Sequence, residues 1–169
     1  MKINIQSATT VALLAITVLV SGSCKKSRFN PFVIETLPEF SVIMDNGETV
    51  NTMTLYGSTT IICTFNTKDG RSVKMLSMLQ SLYEQYRRKV KFVTISDGER
   101  EEDIIRYWSD HGYALPFSSQ EDATQAHKFS QSIPYVMVVG DNMEIAGSFD
   151  KDNLPTRSDI ERLIGGSAK

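Results

Sequence analysis

Two apolar, β-branched runs separated by one amphipathic segment limit the folds open to this chain. Residues 59–65 and 91–96 are nearly continuous in apolar character, which is typical of strands covered on both faces. Between them, apolar side chains recur every three or four residues over positions 71–89, and this spacing predicts a helix. A central sheet with helices packed against it follows from this order.

The flanking segments extend that sheet at both ends of the chain. Asn46-Gly47 between the extended runs 40–43 and 49–53 predicts an N-terminal β-hairpin, because both turn residues tolerate positive φ. Further elements are predicted as follows: a helix with an acidic start at 99–103 that ends at Gly112, a connection at 115–117, a short helix at 123–130, strands at 135–139 and 143–148, and a helix from the capping box Ser158-Asp-Ile-Glu161 to Gly165. The expected class is α/β, a mixed sheet flanked by helices on both sides.

The first 23 residues have the layout of a signal peptide. Residues 11–20 are apolar except for Thr17 and are followed by small residues. An apolar run of this length is shorter than the roughly 20 residues that cross a bilayer, so removal after targeting is expected rather than permanent anchoring. The predicted organisation is a signal peptide over 1–23, a short basic tether over 24–37 and one domain over 38–169.

Composition excludes several function classes. The 169 residues carry 18 Lys+Arg against 20 Asp+Glu, a net charge of −2, which gives no basic surplus for nucleic acid. Two cysteines are too few for a disulfide framework or a four-cysteine zinc site. His111 and His127 lie outside any Cys/His metal spacing and are expected to face solvent. No metal and no cofactor are predicted.

Residues 20–24, Val-Ser-Gly-Ser-Cys, resemble the lipobox of bacterial lipoproteins, in which the cysteine is lipidated. The resemblance implies a membrane anchor at Cys24, a place in the bacterial cell envelope and a domain in the periplasm. Lys25 in the next position resembles outer-membrane rather than inner-membrane retention. The alternative is an ordinary secretory peptide cut nearby, which leaves Cys24 free.

The order of elements, with Ile133-Pro134 just before the third core strand, resembles the thioredoxin-like fold over residues 38–165. It is similar to the TlpA/ResA-type thiol-disulfide oxidoreductases and the related AhpC/TSA group. The resemblance implies a cis peptide at Pro134 beside the active site. The family's Cys-x-x-Cys motif opens the helix after the first core strand, where this chain has Asp69-Gly70-Arg71-Ser72. Both motif cysteines are therefore absent, and Asp69 is expected to cap the helix.

Two functional hypotheses remain open from the sequence. The first is a redox-inactive module that binds or scaffolds a protein or peptide partner at a rim formed by Lys68, Ile133 and Tyr135 beside the degenerate motif, because relatives bind substrate chains there. The second is a thiol-disulfide oxidoreductase or peroxidase-like protein that uses Cys63 or a partner's cysteine. The position of Cys63 in an apolar strand favours a buried, inert thiol.

Overall fold

The structure is a computed structural model that describes residues 37–166. The predicted signal peptide, Cys24 and all of the tether except its last residue lie outside the described residues. The strands are β1 (Ser41–Ile43), β2 (Thr49–Asn51), β3 (Thr60–Phe65), β4 (Lys91–Ser96), β5 (Phe117–Ser118), β6 (Tyr135–Val139) and β7 (Ile145–Phe149). The helices are α1 (Gly70–Tyr86), α2 (Glu101–His111), α3 (Thr124–His127) and α4 (Arg157–Gly166), with a 3-10 turn at Thr52–Leu55.

Five strands form one mixed sheet in the order β5-β4-β3-β6-β7. Strand β3 is central: it pairs in parallel with β4 and antiparallel with β6. Strands β1 and β2 form a separate antiparallel hairpin. The predicted mixed sheet with an N-terminal hairpin is confirmed.

The core lies on both faces of the sheet, because successive side chains of β3 point to opposite sides. On one face Ile61 and Phe65 pack with the apolar sides of α1, α2 and α4. On the other face Ile62 packs with the hairpin, the 3-10 turn and α3. The expected helices on both sides are present. The apolar side chains of the described residues form two clusters, one on each face of the sheet, which together make a hydrophobic core.

Three predicted boundaries were wrong for local reasons. Strand β2 ends at Asn51 because the Asn51 side chain accepts a hydrogen bond from Thr54 N and starts the 3-10 turn. Strand β7 begins at Ile145 because Met143 adopts a positive φ of 70° in the preceding turn. The last helix is capped by Thr156 with Asp159, whose side chains bond each other's backbone N–H groups, rather than by Ser158 with Glu161.

Two further segments differ from expectation. The predicted connection at 115–117 contains β5, whose two residues pair with Thr94 and Ile95 of β4. Glu99 was predicted at the acidic start of the second helix, but α2 begins at Glu101 and Gly112 ends it with a φ of 63°. Among residues 37–166, no helix has the length and apolar character needed to cross a membrane.

Adjacent isoleucines of α2 test the packing on the first face. Ile104 is 0% exposed and Ile105 is 52% exposed. We expect Ile104→Ala to lower the free energy of unfolding by about 2–5 kcal/mol, because it removes buried methyl groups and leaves a cavity. Ile105→Ala deletes the same atoms at the surface and should change it by less than about 0.5 kcal/mol. Urea unfolding of residues 37–169 measures both, and equal losses would contradict the assigned face of α2.

Candidate functional site

The candidate site is the edge of the sheet where β3 and β4 end and α1 begins. Asp69 is the N-cap of α1, with extended backbone angles, and its Oδ2 accepts a hydrogen bond from Ser72 N at 2.8 Å. The first amides of a helix lack partners within the helix, and the positive end of its dipole favours an anion. The predicted capping role of Asp69 is therefore present in the structure.

Ser72 connects this helix start to the strand before it. The residue is completely buried, and its Oγ accepts a hydrogen bond from Asn66 N at 3.2 Å. The Asp69 carboxylate and the Ser72 hydroxyl thus occupy the two motif positions as hydrogen-bonding groups. Neither group can form or exchange a disulfide.

Asn66 organises the loop between β3 and α1. Its Oδ1 accepts from Lys68 N at 3.0 Å, and its backbone carbonyl accepts from Asp69 N at 3.0 Å. Its Nδ2 donates to the carbonyl of Asp97, at the end of β4, at 3.3 Å. One side chain therefore fixes both the turn and its distance from the neighbouring strand.

Glu99 is a site residue that the sequence reasoning missed. Although it is a carboxylate, it is only 3% exposed. Its Oε2 accepts from Thr67 N at 2.8 Å, and its Oε1 accepts from the Thr67 hydroxyl. A buried carboxylate needs such partners to offset its desolvation. The available signal was its position three residues after β4, since parallel strands end at the same edge of a sheet.

His127 lies at this edge with Asp97. His127 Nε2 and Asp97 Oδ1 are 2.9 Å apart, and both side chains are partly exposed. His127 is thus partnered, not simply solvated as predicted. His111 is exposed, stacks on Tyr107 and contacts its carbonyl through Nδ1 at 2.8 Å. No group of three or more metal-ligating side chains occurs within the described part of the chain.

The loop before β6 completes the site edge. The Ile133–Pro134 peptide bond is cis, the isomer expected at this proline. Because β6 is antiparallel to β3, its first residue pairs with Thr64 near the end of β3. Pro134 is buried and Ile133 is partly exposed.

The three residues predicted as a rim differ in accessibility. Lys68 is exposed and Ile133 partly exposed, so both are available at the surface. The side chain of Tyr135 is buried in the second cluster, on the face of the sheet that the hairpin covers. The prediction that Tyr135 belongs to the exposed rim was therefore wrong. Burial raises the pKa of Tyr135, and the charge of Asp150 also raises it. The Tyr135 hydroxyl is buried and has no hydrogen-bond partner among the described residues.

Arg71 extends from the degenerate motif to the loop after β7. Its Nη1 donates to the Lys151 carbonyl at 3.5 Å and lies 3.8 Å from Asp152 Oδ1. Its Nε is 4.0 Å from Asp69 Oδ1. These contacts are exposed and contribute little to stability, but they place a cation beside the capped helix start.

Cys63 is remote from this surface. It is completely buried in the first cluster, as expected, and its Sγ contacts the Thr64 carbonyl at 3.5 Å. Desolvation by burial raises the pKa of the Cys63 thiol far above its ordinary value. The thiolate that disulfide chemistry needs is therefore suppressed in the native fold.

Comparisons with known proteins agree with this geometry. The family model described as thioredoxin-like matches residues 57–145, and the chain belongs to this family. A search of curated proteins finds no match by sequence. The expected family and fold are thus confirmed.

Several solved structures share the fold at low sequence identity. A thiol:disulfide interchange protein from Chlorobium tepidum TLS is 17% identical, with 78% of this chain and 94% of that chain covered and a TM-score of 0.66. A secreted thiol-disulfide isomerase from Corynebacterium glutamicum is 15% identical, with 78% and 84% covered and a TM-score of 0.66. The exposed lipoprotein thioredoxin of Streptococcus pneumoniae TIGR4 is 12% identical, with 76% and 98% covered and a TM-score of 0.63.

The buried thiol leads to a pH-dependent prediction. An ordinary cysteine gains thiolate, and thus reactivity, about tenfold per unit as pH rises toward about 8.5. Because burial raises the pKa of Cys63, residues 37–169 in the native state should react with an aromatic disulfide reagent hardly at all between pH 7 and 9. Addition of denaturant should release one reactive thiol.

The same shift affects stability at alkaline pH. In the unfolded chain the Cys63 thiol ionises near its ordinary pKa, whereas in the folded domain it stays neutral. Ionisation therefore favours the unfolded state, and the free energy of unfolding should decline as the pH rises above the ordinary pKa of cysteine. Cys63→Ala should remove this decline, and rapid native labelling that follows an ordinary thiol profile would contradict the buried position of Cys63.

Proposed function

We propose that this chain is a thioredoxin-like protein without dithiol chemistry, anchored in the cell envelope through Cys24, that binds an extended segment of a protein partner. The observation that carries the proposal is the pair Asp69 and Ser72, which hold the start of α1 by hydrogen bonds at the two motif positions. The fold is thioredoxin-like and is related to that of thiol-disulfide oxidoreductases.

Loss of the redox step follows from the chemistry of these side chains. Disulfide exchange requires attack by a thiolate and a second thiol that resolves the mixed disulfide. A carboxylate and a hydroxyl supply neither. Cys63 is a poor substitute because its sulfur lies in the core, where burial raises its pKa and shields it from a partner's disulfide.

Two features support peptide binding at the same edge. Exposed Lys68 and partly exposed Ile133 flank the capped helix start, on loops that converge from β3 and β6. The resemblance to thiol-disulfide oxidoreductases implies a substrate chain beside the cis-proline, and the main chain of an extended segment can form hydrogen bonds with such an edge. The contacts of Asn66 and Glu99 fix the loop of residues 66–69 in advance, which reduces the entropy cost of binding.

The envelope location is supported by the lipobox resemblance of residues 20–24. It is consistent with the pneumococcal structure, which is itself described as an exposed lipoprotein thioredoxin. Radiolabelled palmitate incorporation into the full chain, lost in Cys24→Ser, is the direct check of the anchor.

Insulin disulfide reduction with dithiothreitol separates the proposed function from the redox alternative. Residues 37–169 should show no activity above background, and Cys63→Ala should behave identically. Asp69→Cys/Ser72→Cys should gain activity, because it returns two thiols to the start of α1. Native activity that Cys63→Ala abolishes would establish an enzyme instead. A folded double-cysteine variant that stays inactive would contradict the assignment of positions 69–72.

Binding of an extended polypeptide tests the rim. The probe is fluorescein-labelled insulin B chain with carbamidomethylated cysteines, which offers an unfolded chain without thiols, and fluorescence anisotropy reports its affinity. We expect Ile133→Arg to weaken binding about tenfold, because it places a charge in the contact. The matched control Ile105→Arg, on the exposed side of α2, should change affinity by less than about twofold. Equal effects, or no binding by the native domain, would contradict the proposed surface.

A further inference from the structure

The end of the sheet opposite the candidate site carries a compact cluster of cations. Arg87, Arg88, Lys89 and Lys91 lie within five positions, where α1 ends and β4 begins, and all four are exposed. No ion pair involves them among residues 37–166. Cations at a helix C-terminus interact favourably with the negative end of the helix dipole, and this interaction partly explains their position at the end of α1. Arg87 also lies over the Tyr83 ring, 5.9 Å from its centroid.

Exposed apolar side chains lie beside these cations. Met53 is 80% exposed and Tyr56 is 73% exposed, on and just after the 3-10 turn. Lys91 Nζ donates to the carbonyl of Thr54, between them, at 2.8 Å. We call the surface formed by Met53, Tyr56, Arg87, Arg88, Lys89 and Lys91 the basic end. Apolar and tyrosine side chains mixed with Lys and Arg are typical of surfaces that lie in a membrane interface.

The charges of the domain are unevenly distributed, because the site edge holds carboxylates together with Lys68, Arg71 and Arg100, whereas the basic end is mainly cationic. Carboxylates gather at the site edge, after β3 and β4 and in the first turn of α2: Asp69, Asp97, Glu99, Glu101, Glu102 and Asp103. Two carboxylates approach the basic end: Glu84 lies one helical turn before Arg87 and Arg88 on α1, and Glu161 accepts a hydrogen bond from the Tyr86 hydroxyl at 3.4 Å. Neither forms an ion pair with the four cations within the described residues. An uneven charge distribution of this kind orients a domain in the field of an anionic surface.

The polypeptide reaches the domain at this same end. The Thr52 hydroxyl donates a hydrogen bond to the Pro38 carbonyl at 3.0 Å, and Thr52 Oγ1 accepts one from Phe40 N at 3.0 Å. Thr52 is the residue before Met53, so the first described residues join the domain next to the basic end. A lipid anchor at Cys24, proposed above, would be connected to the domain next to this end.

From charge, exposed apolar side chains and the point of attachment, we propose that the basic end docks on an anionic phospholipid surface. Arg87, Arg88, Lys89 and Lys91 interact with lipid headgroups, and Met53 and Tyr56 insert at the interface. The proposal does not depend on peptide binding at the site edge. Its physical basis, attraction of clustered Lys and Arg to anionic lipids, is screened by salt.

Vesicle co-sedimentation tests this docking with residues 37–169, which contain both hydrophobic clusters. The probes are vesicles of phosphatidylcholine alone and of phosphatidylcholine with 40% phosphatidylglycerol, at low salt. We expect partitioning onto the second kind only, decreasing as salt is raised. Arg88→Glu/Lys89→Glu should reduce it at least about tenfold, since each cation near an anionic membrane contributes roughly fivefold. Met53→Ser/Tyr56→Ser should reduce it severalfold.

The matched control is Lys74→Glu/Arg106→Glu, which changes the net charge equally at exposed positions outside the basic end. It should leave partitioning within about twofold of the native domain, and thermal unfolding checks that all variants are folded. If both charge-reversal pairs lowered partitioning equally, net charge alone would explain the binding, and the proposal would be overturned. Absence of binding to the anionic vesicles at low salt, or equal binding to both kinds, would also overturn it.

Discussion

The amide groups at the start of α1 need a hydrogen-bond acceptor, and the site edge is built around the carboxylate that supplies it. Asp69 Oδ2 accepts a hydrogen bond from Ser72 N, and the Asp69 carbonyl accepts one from Val73 N. Asp69 thus supplies both acceptors for the first turn of α1. The helix dipole favours an anion at this point whether that anion is oxygen or sulfur. A carboxylate can therefore hold the start of α1 where a thiolate could also stand, but a carboxylate cannot itself form or exchange a disulfide.

Contacts from β4 support the same junction. Asn66 bonds the Asp97 carbonyl, and Glu99 receives the N–H and hydroxyl of Thr67. These bonds join residues about 30 positions apart, so the loop is ordered by the neighbouring strand as well as by its own turn. A loop held in this way keeps one conformation, which suits the binding surface proposed above.

Most of the fold follows from periodic patterns in the sequence, whereas much of the site depends on contacts distant in sequence. Strands β3 and β4 and helix α1 have continuous or three-to-four-residue apolar spacing, and their positions were predictable within a few residues. Strand β5 has only two residues and exists because Thr94 and Ile95 pair with them, which no local pattern reveals. Asp69 was predictable as a cap from its place before a helix. The burial of Glu99 was not predictable, because Glu99 belongs to an acidic segment that resembles an exposed helix start. The contact of His127 with Asp97 was not predictable either, because the whole of α2 lies between these residues in the sequence.

Helix α1 also sets the distance between the two surfaces proposed here. The helix separates its N-cap Asp69 from its C-cap Arg87 by about 27 Å, at a rise of 1.5 Å per residue. The field of a charged membrane decays over about 8 Å at physiological salt, so a site edge at the far end of α1 lies beyond it. Docking through the basic end would thus fix the orientation of the domain without altering the electrostatics of Asp69 and its neighbours. The two ends of one helix can then serve separate tasks, because screening uncouples the lipid contact from recognition of a partner chain.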